Sequence, residues 1–210
     1  MLLIADEVIC GFGRTGNMFG CETYGIAPDM MSCAKGLSSG YLPISAALVS
    51  DRIYAVIRDH SSRLGTFGTG FTYGGHPVCA AVALEALAIY EERGIVQRVR
   101  DIAPVFLGRL RALAGHPLVG ESRGVGLLGA VQLARDPARR GLFEPAEKIG
   151  AWVAARAAEN GLLVRVMRGE SVALCPPLII SEAELAEMFD LLERTLDDTL
   201  VEVRARGLLG

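Results

Sequence analysis

The chain has 210 residues, 21 Lys+Arg against 24 Asp+Glu for a formal net charge of −3, and a hydrophobic fraction of 51%. A nearly balanced charge with no run of five like signs excludes a basic nucleic-acid footprint and an acidic tail. The apolar content excludes a disordered or collagen-like chain, and the best apolar stretches, 42–50 and 77–84, fall short of the roughly 18 residues a membrane span needs.

Residues 1–5, Met-Leu-Leu-Ile-Ala, are a continuous apolar run that predicts a strand buried on both faces of a parallel sheet, ending at Asp6-Glu7. A chain that starts inside a core strand reads as the back part of something longer. Residues 11–25 are turn-rich, and Pro28-Asp29 leads into a second apolar run, 30–34, that ends at Lys35. The segment between Asp6 and Lys35 is long enough for a crossover between parallel strands. If the two strands are neighbours, both side chains leave at carboxyl ends about 5 Å apart. That is the edge where open α/β sheets bind ligands.

A strand is expected over 41–50 and a short helix over 51–58. The glycine-dense loop 65–75 precedes a helix opened by Pro77 and closed near Gly94, with Pro at the first turn and Gly past the last. Apolar positions at helical spacing continue over 95–115, with Pro104 a kink or break. Strands are expected over 119–121, 125–134, 162–166 and 172–175, and a helix over 144–160. Ser181-Glu182-Ala183-Glu184 is a capping box that opens a final amphipathic helix. A boundary near Ile95 divides the chain into domains 1–95 and 96–210, the second a small α/β domain.

Of the 21 basic residues only Lys35 and Lys148 are lysine, and Lys35 stands among small and apolar neighbours. Arginine stays protonated, whereas a desolvated lysine can lose its proton and act as nucleophile or base. The five cysteines contain no C-x-x-C pair and read as reduced thiols of a cytoplasmic protein. The three histidines are too far apart for a metal motif, so no metal site is expected. The apolar strand ending in Asp-Glu has the look of a Walker B strand, but neither lysine stands in the phosphate loop such an enzyme needs. Gly11-Phe12-Gly13-Arg14-Thr15-Gly16 matches G-x-G-x-x-G, yet it neither opens a helix directly nor has an acid about 20 residues on. A plain turn is favoured over an NAD site on Gly11, Gly13 and Gly16. In the 65–75 loop, glycines admit close approach of an anion, and Thr72 offers a hydroxyl ahead of a helix N-terminus.

Taken together, Leu3-Ile4-Ala5-Asp6-Glu7-Val8, the Gly11–Gly16 turn, Pro28-Asp29, Ala34-Lys35-Gly36-Leu37-Ser38-Ser39-Gly40-Tyr41-Leu42-Pro43 and Gly70-Phe71-Thr72-Tyr73-Gly74-Gly75-His76-Pro77 resemble the class III (ω-amino-acid) aminotransferases. The resemblance continues through Arg123-Gly124-Val125-Gly126 and Cys175-Pro176-Pro177-Leu178-Ile179-Ile180. It implies a pyridoxal-phosphate (PLP) enzyme of fold type I. The fold class is then α/β: part of a large domain with a mostly parallel sheet and helices, followed by a small C-terminal α/β domain. It implies that Lys35 forms the Schiff base with the cofactor aldehyde and shuttles the proton. By the same resemblance Asp6 pairs with the pyridine nitrogen, Val8 packs on a ring face and Thr72 reaches the phosphate of a partner subunit's cofactor. Arg165 resembles the arginine that takes the substrate carboxylate. Gly169 lies four residues on where the family has three, which leaves Arg168 as a rival.

The implied reaction moves an amino group from an ω-amino acid or amine to a 2-oxo acid, in a cytoplasmic homodimer with no nucleic-acid or membrane partner. The family's N-terminal half, with the phosphate loop and the aromatic residue stacked on the ring, has no counterpart in the 210 residues. A truncated reading frame or internal start is therefore expected, with an exposed sheet edge and impaired or absent activity. The alternatives are a non-catalytic remnant or subunit-interaction fragment and, more distantly, an NAD-binding enzyme.

Overall fold

The computed structural model describes residues 1–136, 138 and 141–209. The chain forms two compact units, Met1–Gln97 and Arg98–Gly210. Among the described residues no helix is long and apolar enough to cross a membrane.

In the first unit β1 (Ile4–Asp6), β2 (Met30–Cys33) and β3 (Ala46–Val49) form a sheet in that order. β1 and β2 are parallel neighbours, with Asp6 opposite Ser32, while β3 returns antiparallel to β2. The long β1–β2 connection carries α1 (Gly20–Thr23). β3 starts later than the expected 41–50 strand. Pro43 has no N–H to give a ladder, and Tyr41 N–H and Ser38 Oγ instead close a turn on the carbonyls of Ser38 and Leu42.

The expectation that the first strand is buried on both faces is corrected. Leu2, Leu3 and Ile4 are 50%, 48% and 61% exposed, in a three-stranded sheet in which every β3 residue is also exposed. α2 (Asp51–Leu64) runs beyond the expected 51–58 and ends where Gly65 takes φ +98°. α3 (Pro77–Glu92) keeps its expected limits, with the ring of His76 accepting the Val78 N–H at 3.2 Å.

In the second unit β4 (Val119–Val125), β5 (Leu128–Leu133), β6 (Arg165–Met167) and β7 (Ser171–Leu174) form a wholly antiparallel sheet in the order β4-β5-β7-β6. α4 (Ile95–Ala112) passes through Pro104 without breaking, since Ile102, Ala103 and Phe106 around it are all buried. The expected helix over 144–160 is split instead. A 3-10 turn, Pro145–Glu147, is followed by Lys148 at φ +53° and then α5 (Ile149–Glu159).

Ser181 caps α6 (Glu182–Ala205): its hydroxyl accepts the Glu184 N–H at 3.2 Å, and the Glu184 carboxylate accepts the Ser181 N–H at 2.8 Å. Phe106 and Leu110 of α4, Val131 and Leu133 of β5, Val153 of α5 and Phe189, Leu192 and Leu196 of α6 meet in one core. That cluster lies wholly within the second unit. The first unit buries little apolar surface by comparison.

His116 follows α4 and its closing 3-10 turn. Its Nδ1 accepts the Leu118 N–H at 3.1 Å, and Nε2 lies 3.4 Å from Asp197 Oδ1. Burial pulls its pKa below the ordinary histidine value, against an opposite pull from Asp197 and Glu193. The unfolded chain therefore binds this proton more readily. The stability it contributes is complete above about pH 6.5 and is lost as pH falls through the lower folded value. Urea unfolding should show a lower midpoint at about pH 5.5 than at about pH 7.5, and His116→Asn should shrink that difference. An unchanged difference in the variant would assign the pH dependence elsewhere.

Candidate active site

Asp6 is the last residue of β1. Its Oδ1 accepts the Val8 N–H at 3.1 Å and the Ser32 hydroxyl at 3.4 Å, and among the described residues Oδ2 has no partner. Lys35 stands two residues past the end of β2 and opens the 3-10 turn Lys35–Ser38 at φ +45°. Parallel neighbours put their carboxyl ends on one sheet edge, and Asp6, Val8 and Lys35 stand at or just past those two ends. Asp6 and Lys35 are exposed, Val8 is half-buried, and among the described residues no ion pair ties Asp6 to Lys35.

The surroundings of this edge hold residues that sequence reasoning left without a role. Glu7 is 3% exposed, and its carboxylate accepts the N–H groups of Gly20 at 2.7 Å and Cys21 at 2.6 Å. Burial first, and then the Glu7 carboxylate, push the Cys21 thiol pKa up. Ser39, left-handed at the end of the Lys35 turn, meets the Tyr90 hydroxyl at 3.2 Å.

The Gly11–Gly16 segment is a turn, closed by Gly16 N–H on the Gly13 carbonyl at 3.0 Å. The first helix after it, α1, has four residues, and Glu7 already occupies its leading N–H groups. A dinucleotide phosphate has no helix N-terminus to bind there, which removes the NAD alternative.

Phe12, at φ +60°, packs against Gly36. A Cβ added to Gly36 would lie 2.8 Å from Phe12 Cβ and 2.9 Å from its Cδ2. Gly36→Ala must therefore displace the buried Phe12, and about 1–3 kcal/mol of destabilisation is expected in thermal or urea unfolding. A melting curve that superimposes on the parent's would mean the ring moves freely.

Thr72 is exposed between Phe71 and Tyr73 in the loop before α3, where Gly74 N–H closes a turn on the Phe71 carbonyl at 2.8 Å. The residue at the helix N-terminus is His76 rather than Thr72. In the second unit Arg165 opens β6 opposite Ala173, and Arg168 lies in the β6–β7 turn ahead of Gly169 and Glu170, both at positive φ. Both arginines are exposed, and neither has a partner among the described residues.

A family model described as "Aminotransferase class-III" matches residues 1–196. The chain is 49% identical over 199 residues to "Gamma aminobutyrate transaminase 3, chloroplastic" of Solanum lycopersicum, covering 95% of this chain and 38% of that protein. It is similar to a solved "PMP-bound form of Aminotransferase" from Vibrio fluvialis, with a TM-score of 0.91 and 40% identity over 95% of this chain and 44% of the other. A second structure, "Transaminase with L-ala", gives a TM-score of 0.92 and 51% identity over 97% and 48%. The chain thus spans less than half the length of these relatives.

Proposed function

The chain belongs to the class-III aminotransferases, PLP-dependent enzymes of fold type I, and on that premise we propose that the edge bearing Asp6, Val8 and Lys35 is its cofactor edge in an amino-group transfer. The observation that carries this reading is the pairing of β1 and β2 as parallel neighbours, which delivers a carboxylate and a primary amine to the same sheet edge. The residues fit the cofactor: Asp6 keeps Oδ2 unpartnered for a pyridine N–H, and Lys35 offers an amine that no described carboxylate engages. When bound, PLP supplies an electron sink for negative charge at the substrate carbon.

Asp6 would hold the proton on the ring nitrogen, Val8 would lie against a ring face, and Lys35 would hold the cofactor through its amine and move the proton at the reacting carbon. Thr72 binds phosphate of a partner subunit's cofactor in a homodimer. Arg165, with Arg168 as its rival, receives a substrate carboxylate. The donor is an ω-amino acid or amine, the acceptor a 2-oxo acid, and the compartment the cytoplasm. Because Asp6, Lys35 and Thr72 all stand open to water, the 210 residues alone turn over weakly or not at all. A second reading, a non-catalytic subunit-interaction fragment, is favoured by the exposed apolar residues Leu2, Leu3, Ile4, Leu48 and Val49 of the first unit.

The test is to incubate the purified 210-residue chain with PLP, reduce with borohydride and map the modified peptides by mass. A stoichiometric adduct on Lys35 that spares Lys148 is expected. Equal scatter over both lysines and the amino terminus would overturn the reading in favour of the second.

A further inference from the structure

We infer that Glu7 and Phe12 are positioning residues that set the span between Asp6 and Lys35, an inference that rests on the proposed cofactor edge. Asp6 and Lys35 are exposed, and the bonds that orient Asp6 are long for a carboxylate, 3.1 and 3.4 Å on the same oxygen. Neither residue fixes itself. The residue after each one is held firmly.

Glu7 follows Asp6, and every polar group it has is engaged. Its N–H donates to the Ser32 carbonyl at 2.8 Å, which carries the β1–β2 pairing one residue beyond Asp6, and its carbonyl accepts the Gly11 N–H at 2.9 Å. Both carboxylate oxygens accept short backbone bonds, Oε2 from Gly20 and Oε1 from Cys21. A buried carboxylate without such partners would be strongly destabilising. With both oxygens occupied it is a tie, not an acid or base available to substrate. Its setting leaves no slack: a Cβ on Gly20 would lie 3.1 Å from Glu7 Oε2 and 2.9 Å from Cys10 Cβ, and one on Gly11 would lie 2.8 Å from the Glu7 carbonyl.

The path continues through that Gly11 bond to Phe12. Phe12 N–H donates to the Met18 carbonyl at 2.6 Å, and its ring meets Phe19 edge-on at 5.7 Å. The same ring closes on Gly36, the residue after Lys35, with no room for a methyl group. A continuous route of bonds and contacts, buried at Glu7, Gly11 and Phe12, therefore runs from the exposed Asp6 through Gly36 to the exposed Lys35. Gly11 and Phe12, at the start of the glycine-rich turn, form a strut across two strand ends. Rigid support of this kind is what holds exposed functional groups in register.

The experiment compares the 210-residue chain with E7Q, E7D and T15V, using circular dichroism, PLP titration of borohydride-fixed label on Lys35, and the pH dependence of the visible PLP absorption. Gln presents an N–H₂ to one of the two backbone donors, and Asp keeps the charge but withdraws it by one methylene. Thr15, buried in the same turn and bonded to Thr23 Oγ1 at 2.8 Å, is the control for loss of turn stability alone. The expected result is a roughly tenfold rise in the PLP concentration that half-labels Lys35 in E7Q, a smaller rise in E7D, and a displaced pH midpoint of the visible band in both. T15V should melt earlier yet keep the parent's half-labelling concentration and pH midpoint.

Parent-like labelling and spectra in folded E7Q would overturn the inference and leave the cofactor edge standing. Unfolding of both Glu7 variants, or equal effects in T15V, would overturn it in favour of a purely structural role. Absence of selective Lys35 label in the parent chain would overturn the cofactor edge itself and this inference with it.

Discussion

Lys35→Ala is expected to remove the borohydride-stable label and the visible PLP absorption together, and to lower any amino-transfer turnover by at least about 10³-fold. The size of the effect follows from the two tasks assigned to one nitrogen, covalent attachment and proton movement at the substrate carbon. Lys35→Arg should fail as completely. A guanidinium keeps its proton, so conserving charge and length does not conserve a nucleophile. Lys148 supplies the internal comparison. It is exposed, stands left-handed between a 3-10 turn and α5, and lies in the other unit of the chain. Nothing in its setting resembles the carboxylate-bearing strand end beside Lys35, so Lys148→Ala should leave both label and absorption unchanged. Equal loss on mutating either lysine would show that PLP reacts with exposed amines in general and that the sheet edge has no part in it.

The parts of this edge that were legible in the sequence are those controlled by neighbours in the chain. Two apolar runs, each ended by a charged residue and separated by a segment long enough for a crossover, left room for a parallel pair, and β1 and β2 do pair in parallel, with Asp6 opposite Ser32. Pro77 and Gly94 bracket α3, and Ser181 with Glu184 opens α6, because caps are local chemistry.

What escaped depended on distant parts of the chain. Glu7 reads as an ordinary acidic neighbour of Asp6. Its burial becomes tolerable only through two N–H groups 13 and 14 residues away. Phe12 reads as filler between glycines until Gly36 is found beneath it. The run at residues 1–5 has the pattern of a covered strand, but pattern cannot say what lies over its faces, and β1 is exposed. At Pro104, of the expected kink or break, the break does not occur: the helix continues, with buried core residues on both sides of the proline. At Lys148 a left-handed residue that periodicity does not register splits the expected helix.

Phe189→Ala is the substitution expected to damage the second unit most. Phe189 is 0% exposed on α6, its ring 5.5 Å from that of Phe106 on α4, and it lies within the single core shared by all three helices and the antiparallel sheet. On the outer side the Arg109 guanidinium lies 5.4 Å from the ring centroid, held there by Asp190 at 2.6 Å and Glu193 at 3.2 Å. Removing the ring opens a cavity that Phe106 cannot fill from the other helix, and it strips Arg109 of the face it covers. Phe to Ala in such a core costs about 3–5 kcal/mol, and the cation–π contact at a partly exposed arginine adds about 0.5–1 kcal/mol. Against a total stability on the order of 5–15 kcal/mol, that is a large fraction of what keeps a domain folded. The sole tryptophan, Trp152, packs against the same core, so urea unfolding followed by its fluorescence reads this unit directly. Phe189→Leu, which keeps most of the volume, should lose less than half as much, and Arg109→Met less again because its ion pairs are largely open to solvent. A loss below about 1 kcal/mol in Phe189→Ala would mean that the site collapses around the missing ring. The α4–α6 contact would then be a loose one, and the burial of Phe189 would no longer account for how the second unit holds its sheet.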